Sequence, residues 1–228
     1  MINSIEESLN GGYEGLRWEV EEDDCYRLKE INFEPNIFFD FGCNIGVTSR
    51  YARKLFPKAL IVSVEPHPDN LEVFKRFTND DNLVLVEKAI GLGKVWRAIG
   101  AANGTGENYM SNGLGYPENE MAEDERMVQT EIPTIMPDEI INLYLKEGMK
   151  SVLKMDIEAA ENIIWAHEPS MIALRKIDYL AIEIHNFALN GGTWQEVQDK
   201  TAEALKSFEN THNCVLNGVH FYATKIKQ

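Results

Sequence analysis

In Asp40-Phe41-Gly42-Cys43-Asn44-Ile45-Gly46 an acid stands near the end of an apolar run and two glycines follow it. Glycine permits a tight turn there and lets a ligand approach the backbone closely. A helix that begins just after such a turn presents free N–H groups. The spacing is Asp-x-Gly-x-Asn-x-Gly, which differs from the Gly-x-Gly-x-x-Gly of dinucleotide sites. A carboxylate at this place repels a pyrophosphate but suits a ligand that carries an ammonium or sulfonium charge. Glu65 ends the next apolar run and is placed to accept hydrogen bonds from both ribose hydroxyls of a nucleoside. Alone it reads equally as a surface acid before Pro66; together the two acids point to a positively charged nucleoside ligand. Further on, Glu183 and His185 stand two apart on one strand and so share a face. With Asp156 they could hold a divalent metal, but the spacing matches no ligand signature and no metal is assigned. His167, His212 and His220 have no partner pattern and read as surface or packed histidines.

These residues need a scaffold. Ile37-Phe38-Phe39-Asp40-Phe41 reads as a strand buried on both faces. Val47, Tyr51 and Leu55, with Ala52 and Phe56, give the apolar stripe of a helix that stops at Pro57. The unit recurs as a strand over 59–64, a helix marked by Leu71, Phe74 and Phe77, and a strand over 83–86. Strand and helix alternating at this spacing predict an α/β fold: a Rossmann-like, doubly wound, mostly parallel sheet with helices on both faces. Residues 91–102 read as an edge strand or hairpin. Residues 104–127 are rich in Gly, Asn, Glu and Met without a clear period, and read as a lid or as disordered chain. The pattern then resumes with a helix over 137–146, a strand over 151–157, a helix over 160–167, a strand over 179–184 and a helix over 194–210. A C-terminal antiparallel hairpin follows, 214–216 with 220–223, around the turn signal Asn217-Gly218. The expected organisation is a short cap over 1–35 and one domain over 36–228, with a lid insertion at about 104–127.

The 228 residues carry 22 Lys+Arg against 37 Asp+Glu, a formal net charge of −15, which argues against a general nucleic-acid or anionic-membrane binder. The run Glu21-Glu22-Asp23-Asp24 reads as a solvated part of the cap. No apolar stretch reaches the length of a membrane span, and residues 1–10 lack the apolar core of a signal peptide. Cys25, Cys43 and Cys214 are sparse and odd in number, so they read as reduced thiols in a cytoplasmic protein.

The segments Asp40–Gly46, Glu65-Pro66-His67-Pro68, Lys88-Ala89-Ile90-Gly91 and, above all, Lys154-Met155-Asp156-Ile157-Glu158-Ala159-Ala160-Glu161 resemble those of the FkbM-type methyltransferases. The segment 134–141 with Asp138, and Ile182-Glu183-Ile184-His185, fit the same order, so the resemblance runs over about 36–224. The Asp156 segment is its specific part, since the Asp40 and Glu65 elements are shared by most class I methyltransferases. Ala159 stands where that family usually has Gly, and Pro137 where Leu is common. The resemblance implies the class I methyltransferase fold, S-adenosylmethionine as cofactor, and O-methylation of a small-molecule or sugar acceptor. It implies that Asp40, Gly42, Asn44 and Gly46 hold the methionine end of the cofactor and that Glu65 holds the ribose. Pro66 and His67, with the segment 87–90, would border the adenine, and Asp156 would lie near the methyl group. A hydroxyl acceptor has to lose a proton, and a carboxylate or imidazole can take it. Asp156, Glu158 and His185 are the candidates. Glu158 and Glu161 read equally as caps or ion-pair partners of the following helix. Two other readings remain: a dinucleotide-dependent oxidoreductase, and a catalytically silent methyltransferase-like binding module.

Overall fold

The computed structural model describes residues 12–92, 96–99, 109–112, 127–130, 133–158, 160–185 and 194–226. The chain opens with α1 (Gly12–Arg17), a π-helical turn (Trp18–Glu22) and a 3-10 turn (Leu28–Glu30). Then β1 (Ile37–Phe41), α2 (Val47–Leu55), β2 (Leu60–Val64), α3 (Pro68–Phe77) and β3 (Leu83–Val86) alternate. Short strands follow: β4 (Ala89–Ile90), β5 (Trp96–Ile99), β6 (Tyr109–Asn112), β7 (Met127–Thr130) and β8 (Thr134–Ile135). The second half holds α4 (Pro137–Tyr144), β9 (Ser151–Met155), α5 (Glu161–Trp165), α6 (Glu168–Leu174) and β10 (Tyr179–Glu183). It ends with α7 (Trp194–Lys206), β11 (His212–Asn217) and β12 (His220–Lys225).

Seven strands form the main sheet in the order β11-β12-β10-β9-β1-β2-β3. β1 pairs in parallel with β2 and with β9, β2 with β3, and β9 with β10, whereas β12 runs antiparallel to β10 and β11. This is the doubly wound, mostly parallel sheet expected from the sequence, with the C-terminal hairpin at its edge. β1 and β9 are buried along their whole length, which explains their mostly apolar composition, broken by Asp40 in β1 and by Ser151 and Lys154 in β9. Ile37, Phe39, Phe41 and Leu153 pack with Ile140, Ile164, Leu174 and Phe208. Phe38, Ile61, Val152 and Ala181 pack on the other face with Val47, Tyr51 and Ala52. Val20, Cys25, Tyr26 and Leu28 belong to this second core, so the chain around the acidic run 21–24 is woven into the domain.

Two details differ from the sequence reading. The helix expected over 160–167 is short, and a second helix, α6, begins right after it. His167 caps α6 by accepting the Ser170 N–H, and Pro169 sits in its first turn, where proline lacks no needed donor. Of the expected lid, only Tyr109–Asn112 and Met127 are among the described residues, and the rest of that segment lies outside them. These strands join β5 in an antiparallel sheet of order β6-β5-β7. Among the described residues, no helix is long and apolar enough to cross a membrane.

Strand order reverses between β1 and β9, since β2 and β3 build outward on one side and β10 on the other. The carboxyl ends of β1, β2, β9 and β10 therefore border the crevice in which open α/β sheets hold ligands.

Candidate active site

The turn after β1 is wedged between two other elements. Gly42 and Gly46 take φ of +75° and +85°, and Asn44 between them takes 50°. A Cβ on Gly42 would lie 1.7 Å from the Asp156 carbonyl oxygen, and one on Gly46 2.6 Å from the Phe74 ring. Both glycines are thus required by close approach as well as by conformation. The N–H groups of Gly42 and Cys43 both donate to the Val64 carbonyl at 2.9 Å, which ties the turn to the end of β2.

Glu65, just beyond β2, is buried and closes the other side of the turn. Its Oε2 accepts the Asn44 N–H at 2.9 Å, and its Oε1 accepts the His67 N–H at 2.9 Å and the Asn70 amide at 3.1 Å. A carboxylate has about four acceptor positions, so these donors leave room for one more on Oε2. Burial pushes the Glu65 carboxyl up to about 7, although the three donors pull it down. The side chain of Glu87, in the segment expected to border an adenine, is turned instead to Lys75 at 2.8 Å.

Asp40 is fully buried, and the structure does not bring it to the crevice surface. Its Oδ2 accepts from the Ser49 hydroxyl at 2.5 Å, and its Oδ1 lies 3.5 Å from the Lys154 ammonium. Asp40 and Lys154 are register partners on β1 and β9, so both project from the same face. In this structure the Asp40 carboxylate faces Ser49 and Lys154. Burial raises the Asp40 carboxyl, and Lys154 offsets part of the rise. Lys154 also donates to the Gly42 carbonyl at 2.7 Å, so the buried pair steadies the glycine turn.

A cluster of acids converges around His185 at the ends of β9 and β10. Its Nε2 lies 3.8 Å from Asp156 Oδ1, 3.6 Å from Glu158 Oε2 and 3.7 Å from Glu183 Oε1, while Nδ1 lies 3.5 Å from Glu161 Oε1. Burial works against the imidazolium, but Glu161, Asp156 and Glu158 outweigh it and raise His185 to about 9. The carboxylates gathered around the ring favour its protonated form. Burial also raises Asp156, yet Lys154 and His185 more than offset this and hold it below the ordinary carboxylate range. Burial and the nearby Asp156 push Glu158 up to about 7. Glu158 takes the left-handed φ of 53°; Ala159, the position where the family resemblance places a glycine, lies outside the described residues.

Tyr26 is the residue that sequence reasoning missed. Its hydroxyl donates to Asp156 Oδ2 at 2.9 Å, and its ring lies 5.3 Å from the Lys154 ammonium. A single tyrosine in an acidic N-terminal stretch carries no signal for this; only the packing of 12–35 onto the sheet places it there. His220 was likewise read as unpartnered and is found 3.4 Å from Glu183 Oε2. The described residues also line a cleft of about 820 Å³ beside Lys146, Lys150, Lys176 and Lys225, at the amino-terminal edge of the sheet. It holds none of the residues singled out above.

No family model matches the chain. A methyltransferase of Sordaria araneosa, sdnD, is 26% identical over 171 residues, covering 63% of this chain and 64% of that protein. The chain thus matches a little under two thirds of that relative's length. Among solved structures, the fibrillarin/Nop5p complex aligns at a TM-score of 0.49 with 10% identity, over 92% of this chain and 83% of that one. Magnesium protoporphyrin IX methyltransferase of Synechocystis, solved with bound SAM, aligns at a TM-score of 0.45 with 9% identity, over 99% and 86%. A SAM-dependent methyltransferase of Anabaena variabilis aligns at 0.46 with 10% identity, over 92% and 86%.

Proposed function

We propose that this chain is an S-adenosylmethionine-dependent methyltransferase that methylates a hydroxyl of a small molecule or sugar. The observation that carries the reading is the joining of the Gly42–Gly46 turn to the Glu65 carboxylate through Asn44, beside Asp156 at the strand-order switch. The FkbM-type resemblance of the same segments and the Sordaria araneosa relative support it.

The methionine end of the cofactor would run along the 42–46 turn, where glycine leaves the backbone open to close approach. Glu65 would accept a ribose hydroxyl at Oε2, with Pro66 and His67 next to the base. Asp156, Glu158 and Glu183 give the crevice a negative field, which favours a sulfonium over a pyrophosphate. That field also disfavours the dinucleotide reading. The sulfonium is already a good electrophile, so alignment of acceptor oxygen, methyl and sulfur supplies much of the acceleration. The carboxylates of Asp156 and Glu158 stand where an acceptor hydroxyl can be oriented and its proton taken, and Tyr26 fixes the rotamer of Asp156 through its hydroxyl.

The test is transfer of an isotope-labelled methyl from S-adenosylmethionine to a panel of small alcohols and sugars, read by mass spectrometry. Label on an oxygen of one acceptor, lost in Asp156→Asn, is the expected result. Label found on nitrogen or carbon would overturn the hydroxyl assignment.

A further inference from the structure

We propose that Asp156, Glu158 and His185 form a binding site for one divalent cation at the carboxyl ends of β9 and β10. One oxygen from each carboxylate and a ring nitrogen of His185 all lie within 4.8 Å of one another. The His185 Nε2 distances, 3.8 Å to Asp156 Oδ1 and 3.6 Å to Glu158 Oε2, exceed a hydrogen bond. Ligands held at about 2.0–2.2 Å from a common ion stand roughly 3–4.4 Å apart, so these atoms fit one ion with small adjustments.

Two further observations point the same way. Glu161 is 1% exposed, and its Oε2 has no hydrogen-bond partner; Glu158 Oε2 is buried and equally without one. A buried carboxylate oxygen that meets no donor is costly, and a cation beside it removes the cost. Glu161 Oε1 meanwhile faces the other ring nitrogen of His185 at 3.5 Å. A carboxylate behind an imidazole orients that ring toward a metal.

The nearby cations face other carboxylate oxygens than those that converge on His185 Nε2. Lys154 lies between Asp40 and Asp156 and donates to the Gly42 carbonyl, and His220 faces Glu183. One imidazole with two carboxylates suits Mn²⁺, Fe²⁺ or Zn²⁺ better than Ca²⁺ and leaves coordination positions open. The role of the cation, which rests on the methyl-transfer reading, would be to bind and orient the acceptor oxygen, with Asp156 and Glu158 serving as ligands.

The test is a Mn²⁺ titration of the chelator-treated full chain, with free Mn²⁺ read by electron paramagnetic resonance. Expected are one tight Mn²⁺ per chain and a rise in the wild-type melting temperature. Glu158→Gln and His185→Ala should each weaken binding by about tenfold or more, while the exposed Glu203→Gln leaves it unchanged. No tight Mn²⁺, or equal binding in all three variants, overturns the site. Calorimetry with S-adenosylhomocysteine on the metal-free protein keeps the two ideas apart. Cofactor binding together with failure to bind Mn²⁺ defeats only the cation site, and Mn²⁺ binding together with failure to bind cofactor defeats only the methyltransferase reading.

Discussion

Replacing Lys154 by Met keeps the length of a buried side chain and removes its charge. Lys154 is 2% exposed and Asp40 0%, and Ser49 is the hydrogen-bond donor to Asp40 at Oδ2, with none at Oδ1. Removing one partner of a buried ion pair costs about 3–5 kcal/mol, because the other charge is left uncompensated. Asp40 can escape part of this by taking up a proton, since burial already raises its carboxyl. The loss in Lys154→Met should therefore fall near the lower end of that range, about 3 kcal/mol, at neutral pH. At about 2–4 °C per kcal/mol for a chain of this size, the melting temperature drops by roughly 6–12 °C. Urea unfolding followed by circular dichroism measures the difference. Asp40→Asn in the same chain removes the stranded charge, so the double variant should regain about 1–3 kcal/mol of coupling. A loss under about 1 kcal/mol in Lys154→Met, or strictly additive effects, would refute the claim that the pair anchors the glycine turn.

Three further outcomes are expected. Gly42→Ala places a Cβ 1.7 Å from the Asp156 carbonyl oxygen, so it should lower stability and abolish S-adenosylhomocysteine binding; unchanged calorimetry would mean that the turn is elsewhere in the bound state. Glu65 is raised in the folded state to about 7 from the usual 4.5, so the folded protein holds that proton more tightly than the unfolded one. The stabilisation is complete below pH 4.5 and is lost as pH rises through about 7. Urea midpoints of Glu65→Gln should lack this decline, and a parallel pH profile in both proteins would contradict it. Tyr26→Phe removes a donor to the Asp156 carboxylate and should cost about 1.5–3 kcal/mol with the fold retained; a neutral effect on the urea midpoint would show that water replaces the hydroxyl.

The sheet was legible because β1, β2 and β9 are mostly apolar, broken only by Asp40, Ser63, Ser151 and Lys154, and because Asn217-Gly218 marks the hairpin turn, where Gly218 takes φ 61°. The turn at Gly42 and Gly46 was legible from glycine spacing. What the sequence hid is long-range pairing. Nothing local in Asp40 or Lys154 says that β1 and β9 set them opposite each other in register. Asp40 therefore read as a ligand contact, although its charge is answered inside the protein. His185 read as a possible base because only Glu183 is near it in sequence; Asp156, Glu158 and Glu161 reach it through the meeting of β9, α5 and β10.

The central claim is that the crevice at the ends of β1, β2 and β9 takes an S-adenosyl ligand. Isothermal calorimetry of the full chain with S-adenosylhomocysteine and, separately, with NAD measures this without knowledge of the acceptor. The account predicts one S-adenosylhomocysteine bound per chain, no heat with NAD, and affinity lowered by about tenfold or more in Glu65→Gln, where an amide replaces an acceptor oxygen. Binding of NAD in place of S-adenosylhomocysteine, or of neither, would contradict it.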